Sequence, residues 1–479
     1  MTRPRTIAHL AALATALALW AMIALLPAQG RIGHDQNIYH VPTIRTFARQ
    51  LPRPDLSDYL SATTPGYHLA LAAASRLTGD STFALRALGA LWSVGLAWLL
   101  VRAAARRASA PDGSAWALAA LAPLPCSLYV LSSGAFVLPD NAAWLLASAV
   151  LLVCLGSPMT LGRIALGALL VLALVWVRQS HAWTAGVLLL AAWLGDAPAD
   201  GPAGTAGLVG PVGQPSAARW SDDPRTVLAP HPIGPAARRA IVAALLLLPT
   251  ALSLALLYRL WGGLTPPGNF PRPGPEWIGD YANFQGRFRG ANPATPALVL
   301  ALLGWSLIPL TPLLWGALTG GARRAPWLVI GASLLSLAAA LIPATTRDPD
   351  AGRSTGLWNL AGSAPTVLGH TSALIAALAL PGGALTAALL GALRRRDRLI
   401  LLTALAGFGA AVSASHYSWQ RYAEPMLLIW VALAVARLPR AGLPPALPAP
   451  GGALRWALSV GGLAALCLSL AAVAARGLR

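Results

Sequence analysis

No lysine occurs in the 479 residues, so all 35 basic residues are arginine. Acidic residues are scarce too, 16 in all, and charged residues make up only 11% of the chain. Soluble chains carry roughly a quarter charged residues, so a soluble globular class is excluded. The three cysteines, Cys126, Cys154 and Cys467, lie in apolar stretches without paired spacing. They read as small core residues, neither a disulfide framework nor a metal set. The chain also lacks a Walker loop, a dinucleotide-binding fingerprint, an HExxH motif and a nucleophile-elbow Gly-x-Ser. It has no seat for a soluble nucleotide cofactor, and an activated group would have to arrive by another route, for which a lipid carrier is the natural source.

What is abundant is apolar sequence, 56% of the chain. Runs of about 18 or more apolar residues recur from end to end, and each can cross a hydrocarbon layer about 30 Å thick. The fold class is therefore an all-α polytopic membrane protein with about thirteen transmembrane helices. A net charge of +19 would suggest nucleic acid in a soluble protein. Here the arginines gather at helix ends, where the positive-inside rule accounts for them, and no nucleic-acid partner is expected. With Arg3 and Arg5 inside, the clusters around Arg102, Arg106 and Arg107, Arg238 and Arg239, Arg323 and Arg324, and Arg394 to Arg396 all fall inside.

The first span has an apolar stretch longer than a signal-peptide core, so it is read as an uncleaved helix. Residues 28–80 form a first outer loop, with an amphipathic helix over 65–77 lying at the interface. A third span is expected over roughly 114–133. Residues 196–237 are rich in Gly, Pro, Ala and Asp without apolar period, which marks a flexible cytoplasmic linker. The whole of 1–479 is taken as one transmembrane domain. Ionisable residues sit at span ends, whereas a solute transporter would carry them near span centres. No inverted repeat is visible.

The positive-inside rule leaves some arginines unexplained: Arg178, Arg287, Arg289, Arg353 and Arg421 all fall on the outer side. Arg178 and Arg421 could grip a phosphate in bidentate fashion, or could snorkel to lipid headgroups, with Trp176 and Trp183 as interface anchors. Asp35 sits in the polar loop Gly33-His34-Asp35-Gln36-Asn37-Ile38-Tyr39-His40 behind the first span. A carboxylate there could take a proton from an attacking hydroxyl, or could be a helix cap or a solvated loop acid. Asp140 opens a span after Pro139, where an acid is favourable as an N-terminal helix charge alone. His34, His40 and His68 could join Asp35 around a metal, but their spacing matches no standard zinc pattern, so no metal is called for.

Several short motifs, in order, carry a resemblance. Asp35-Gln36 is followed by His40 and Pro42. Then come Thr63-Thr64-Pro65-Gly66-Tyr67, Phe83 to Leu88, Pro139-Asp140, Arg178-Gln179-Ser180-His181, and Arg421-Tyr422 with Pro425. This order resembles the GT-C superfamily of membrane glycosyltransferases. Within it the chain looks most like a bacterial relative of the dolichyl-phosphate-glucose-dependent alpha-1,2-glucosyltransferases of N-glycan precursor assembly. The departures are Gln36 at the family's second acidic position, a missing second proline after Pro65, His181 in place of Asn, and no clear counterpart of its Gly-Asp-Lys segment.

The resemblance implies an inverting transfer of a hexose from a polyprenyl-phosphate carrier to a glycan or lipid-linked acceptor, without a cofactor. Asp35 and Asp140 would be the catalytic carboxylates. His40, Tyr67, Arg178, Gln179, Arg421 and Tyr422 would bind substrate. The site would face the exterior of a multi-pass inner-membrane protein. Three other readings stay open: a mannosyl- or aminoarabinosyl-type transferase, a ligase or flippase for lipid-linked glycans, and a solute transporter.

Overall fold

Proline and glycine decide where the apolar runs of this chain become straight helices, where they break and how closely they pack. The computed structural model describes residues 3–27, 33–109, 114–195, 233–267, 291–345, 356–415, 419–439, 443 and 453–477. The first run, α1 (Arg3–Leu25), is rich in alanine and leucine, and its one proline, Pro4, stands in the first turn, where it is tolerated. After it come a π-helical turn (Gln36–His40), α2 (Val41–Gln50), α3 (Gly66–Thr78) and α4 (Thr82–Ala108). Ser81 starts α4 by accepting a hydrogen bond from the Ala84 N–H at 3.2 Å, and Arg106 and Arg107 close it, complementing the helix dipole. The segment 65–77 is helical as expected, forming α3 with Pro65 at its cap. Its neighbour α2, which buries Val41, Ile44 and Phe47 on one face, had no counterpart in the sequence reading.

The expected third span is not continuous. It is α5 (Trp116–Ala119), a 3-10 turn (Leu124–Cys126) and α6 (Leu128–Ala135), bent by 67° at the break. Pro123 and Pro125 lie at the bend, where they lack the N–H groups a continuous helix needs. Next are α7 (Asp140–Leu155), α8 (Leu161–Val177), a 3-10 turn (Gln179–Trp183) and α9 (Thr184–Leu194).

The expected linker over 196–237 falls outside the described residues up to 232, and its last residues already belong to α10 (Ile233–Trp261). Pro235 stands in the first turn of that helix, where proline is tolerated. The chain continues with α11 (Thr295–Arg324), α12 (Pro326–Leu341) and α13 (Leu357–Ser363). A short antiparallel hairpin, β1 (Thr366–Val367) with β2 (Thr371–Ser372), precedes α14 (Ala373–Ala392). Then come α15 (Arg395–Ser413), α16 (Gln420–Arg437) and α17 (Ala453–Gly477).

Among the described residues, six helices are long and apolar enough to cross a membrane, or seven if the bent pair is one span. Their packing relies on glycine. A Cβ on Gly304 of α11 would collide with the Leu378 carbonyl of α14, and one on Gly382 of α14 with the Leu300 carbonyl of α11. Small residues let two backbones touch where lipid supplies no hydrophobic drive for association. At the end where α7 and α9 finish, the buried Arg396 donates to the carbonyls of Cys154 (2.7 Å), Gly156 (2.9 Å) and Gly195 (2.9 Å). It thereby satisfies carbonyls that those helix termini leave open.

Candidate functional site

At the other end of α7, Asp35, Asp140, Arg178 and Arg421 meet from distant parts of the chain. Asp140 is the first residue of α7. Its turn is held by Asn141, whose amide donates to Ser93 Oγ and to the Val130 carbonyl (3.2 Å). Arg178 follows α8 in extended backbone, and Arg421 and Tyr422 lie in the first turn of α16. Asp35 stands at the head of the π-helical turn.

Arg178 is paired with Asp140, and Arg421 with Asp35. The two guanidinium groups also share one aromatic ring. Arg178 lies 4.5 Å and Arg421 4.9 Å from the Tyr422 centroid. Arg421 donates to the Tyr422 hydroxyl at 3.0 Å and lies 4.9 Å from the Trp419 ring. The Asp140 side chain is 7% exposed and that of Arg421 29%, so the Arg178–Asp140 pair is the deeper of the two. Withdrawing four charges from water is expensive, and apolar side chains of the same size often stabilise a fold as well or better. Their presence therefore points to a ligand more than to stability.

Beside this cluster His40 and His68 form a buried pair, with Nδ1 of His40 3.0 Å from Nε2 of His68. Burial, then the charges of Arg421 and Arg178, push the His40 proton affinity down to about 3. His68 is lowered well below the usual histidine range by burial and by His40. His181 is lowered to about 3 by burial and by Arg178. All three imidazoles are neutral at pH 7, chiefly because burial disfavours their charged form.

Buried amides and hydroxyls fix the surroundings. The Gln36 Oε1 accepts from the Val137 N–H at 3.0 Å, tying the first loop to the segment before Asp140. Gln179 donates to the carbonyls of Ala62 (2.8 Å) and Leu264 (2.9 Å), and its Oε1 accepts from the Thr64 N–H at 3.1 Å. Thr64 Oγ1 donates to the Val175 carbonyl at 2.6 Å. Behind Arg421, Gln420 and Ser127 each donate to the buried Glu424 at 2.5 Å, and the Leu357 N–H donates to Gln420 at 2.6 Å.

Of the residues singled out in the sequence, Asp35, Asp140, Arg178, Arg421 and Tyr422 come together, with His40 adjacent. Gln179 has its amide engaged by the protein itself and ties together the segments around Ala62, Thr64 and Leu264. Tyr67 is fully buried on α3, its ring edge against His68, away from any opening. Arg86, part of the resemblance, donates to the carbonyls of Ala135 (2.6 Å) and Leu26 (3.1 Å) and so serves the packing of α4. Arg287, Arg289 and Arg353 lie outside the described residues. Gln420 and Glu424 were missed. A carboxyl four residues after an amide in an apolar helix was the available signal.

Among the described residues, no three His, Cys, Asp or Glu side chains come near enough to hold a metal ion. Comparison of the chain with protein-family models, with curated proteins and with solved structures gives no match.

Proposed function

We propose that the protein is an inverting glycosyltransferase of GT-C type, a single domain of about thirteen transmembrane helices. It moves a hexose such as glucose from a polyprenyl-phosphate carrier to a glycan or lipid-linked acceptor at the outer face of the inner membrane. The observation that carries this reading is the pair of arginines on the Tyr422 ring, each held by a carboxylate.

In this reading the acceptor hydroxyl attacks the anomeric carbon and its proton passes to Asp35. The bond from that carbon to the phosphate oxygen breaks, and the electron pair leaves with the polyprenyl phosphate. Arg178 and Arg421 stabilise the charge that grows there. Asp140 faces the positive charge that develops on the sugar, as a carboxylate does in glycoside hydrolysis. Tyr422 keeps the two guanidinium groups together, and neutral His40 borders the charged cluster without adding repulsion.

Charge balance adds a condition. With both pairs closed the four groups sum to zero, so an incoming phosphate has no net attraction until carboxylates release the arginines. Donor binding then exchanges carboxylate for phosphate on the guanidinium groups, and Asp35 is freed as a base only when the donor is seated.

The closed pairs also favour a second reading, a lipid-linked glycan flippase that uses the arginines for binding alone. A mannosyl- or aminoarabinosyl-type enzyme would share the same base and architecture. The deciding experiment is reconstitution with polyprenyl-phosphate sugars and nucleotide sugars in turn. Transfer is expected only from the lipid-linked donor. Transfer from a nucleotide sugar alone would overturn the assignment, and lipid movement without sugar release would select the flippase.

A further inference from the structure

Helix α16 carries Arg421 at one end and Arg437 at the other, roughly 24 Å away by helical rise. Around Arg437 lies a cavity of about 280 Å³ between α4, α5, α7 and α16. Its walls are apolar, with Leu100, Leu121 and Leu433 among them, and Arg106, Arg107 and Arg437 stand at its edge. Arg437 is 3.9 Å from Asp397, and Arg107 donates its Nε proton to the Ala436 carbonyl at 3.0 Å. Arg106 is exposed. Arg394 and Arg396 also act electrostatically on Arg437, so among the described residues positive charge exceeds negative at this edge.

The positive-inside rule accounts for arginine at this end of the bundle. It does not account for an apolar cavity bordered by arginine. A free phosphate would satisfy the guanidinium groups and leave the leucine walls unfilled, while a neutral lipid would fill the walls and leave the charge unmatched. Basic pockets between membrane helices suit anionic lipid headgroups. We propose that this cavity seats part of one acyl chain of an anionic phospholipid whose phosphate lies between Arg106, Arg107 and Arg437. The proposal is independent of the transferase reading, because it uses the opposite end of the bundle.

The test uses the full chain in phosphatidylcholine vesicles containing a small fraction of phosphatidylglycerol, then gentle detergent extraction and native mass spectrometry. The wild type should retain phosphatidylglycerol far above its share of the bilayer. Arg106→Gln with Arg107→Gln should lower that retention several-fold. Ala103→Trp, which fills the cavity and leaves the three arginines in place, should lower it as much.

If Ala103→Trp retains the lipid as wild type does, surface charge alone binds it and the proposal fails. Equal retention of phosphatidylcholine, or no lipid at all because other parts of the chain fill the cavity, also overturns it. A thermal shift with inorganic phosphate alone as large as that with phosphatidylglycerol would reassign the site to free phosphate. Should Ala103→Trp not fold, the arginine variant and the choice between the two lipids still decide the matter.

Discussion

At the residue scale the cluster makes opposite demands on its two carboxylates. Asp35 pairs with the more exposed arginine, and in the proposed reaction it is the carboxylate that takes the acceptor proton. Asp35→Asn should lower turnover roughly 100- to 10,000-fold, the usual cost of a lost general base, while the purified protein keeps its melting temperature. Turnover near wild type would remove Asp35 from the mechanism. Asp140 is paired with Arg178 and in the proposed reaction would compete with the donor phosphate for it. Asp140→Asn should therefore tighten binding of a short isoprenyl phosphate about fivefold, on the order of 1 kcal/mol, even as turnover falls. Tryptophan fluorescence can report this, because Trp419 lies against Arg421. Weaker binding would mean that Asp140 holds Arg178 in place for the ligand instead of occupying it.

The histidine pair gives a pH dependence of known sign. His40 is lowered to about 3 and His68 is lowered as well, whereas an unfolded histidine titrates near 6.5. Below about pH 6.5 the unfolded chain therefore takes up protons that the native chain cannot. Stability is complete above that pH and should fall by about 1.4 kcal/mol per unit for His40 as the pH drops toward 3, with a further loss of the same sign from His68. Melting temperatures at pH 7.5 and pH 5 should show the loss, and His40→Asn should make it shallower. An unchanged slope would place the acid sensitivity elsewhere.

At the element scale, hydropathy located the apolar runs but not their mutual approach. Thr295–Arg324 and Ala373–Ala392 read as two ordinary spans in the sequence. Only their packing explains why glycine stands at 304 and 382, where each backbone meets the other. Gly304→Val should push α11 and α14 apart and destabilise the protein by about 1–3 kcal/mol or more, read as a drop in melting temperature. A neutral effect would mean that the helices separate without cost. The break in the third span was legible in Pro123 and Pro125, yet a sliding hydropathy average passes over two prolines. Helix α2 was hidden for a different reason. Its buried face spans less than two turns, and its polar residues resemble those of a loop.

At the scale of the whole molecule, Asp140 at the head of α7 and Arg421 at the head of α16 set the candidate site at one end of the bundle, and the arginine-bordered cavity lies where these same helices finish. In the proposed topology the linker of 196–237 belongs to the cavity's side, away from each candidate catalytic residue. Replacing residues 196–232 with a Gly/Ser linker should leave transfer within a few-fold of wild type. Complete loss of transfer with normal expression would put the active face on the wrong side.

The amino-acid sequence by itself determined the membrane class, the places of most of the apolar runs, and the residues out of keeping with arginine topology. These follow from local properties: apolar length, proline position and charge at helix ends. It could not show that Arg178 and Arg421 share the ring of Tyr422, that Gln179 is consumed by backbone carbonyls, or that Tyr67 is sealed in the core. Many of those contacts join segments far apart in the chain, as with Asp35 and Arg421 or Thr64 and Gln179. Nothing in the local pattern of either segment names its partner. Tertiary structure decided them, because packing the helices brings the loop behind α1, the end of α8 and the start of α16 to one place, where their charges must neutralise one another.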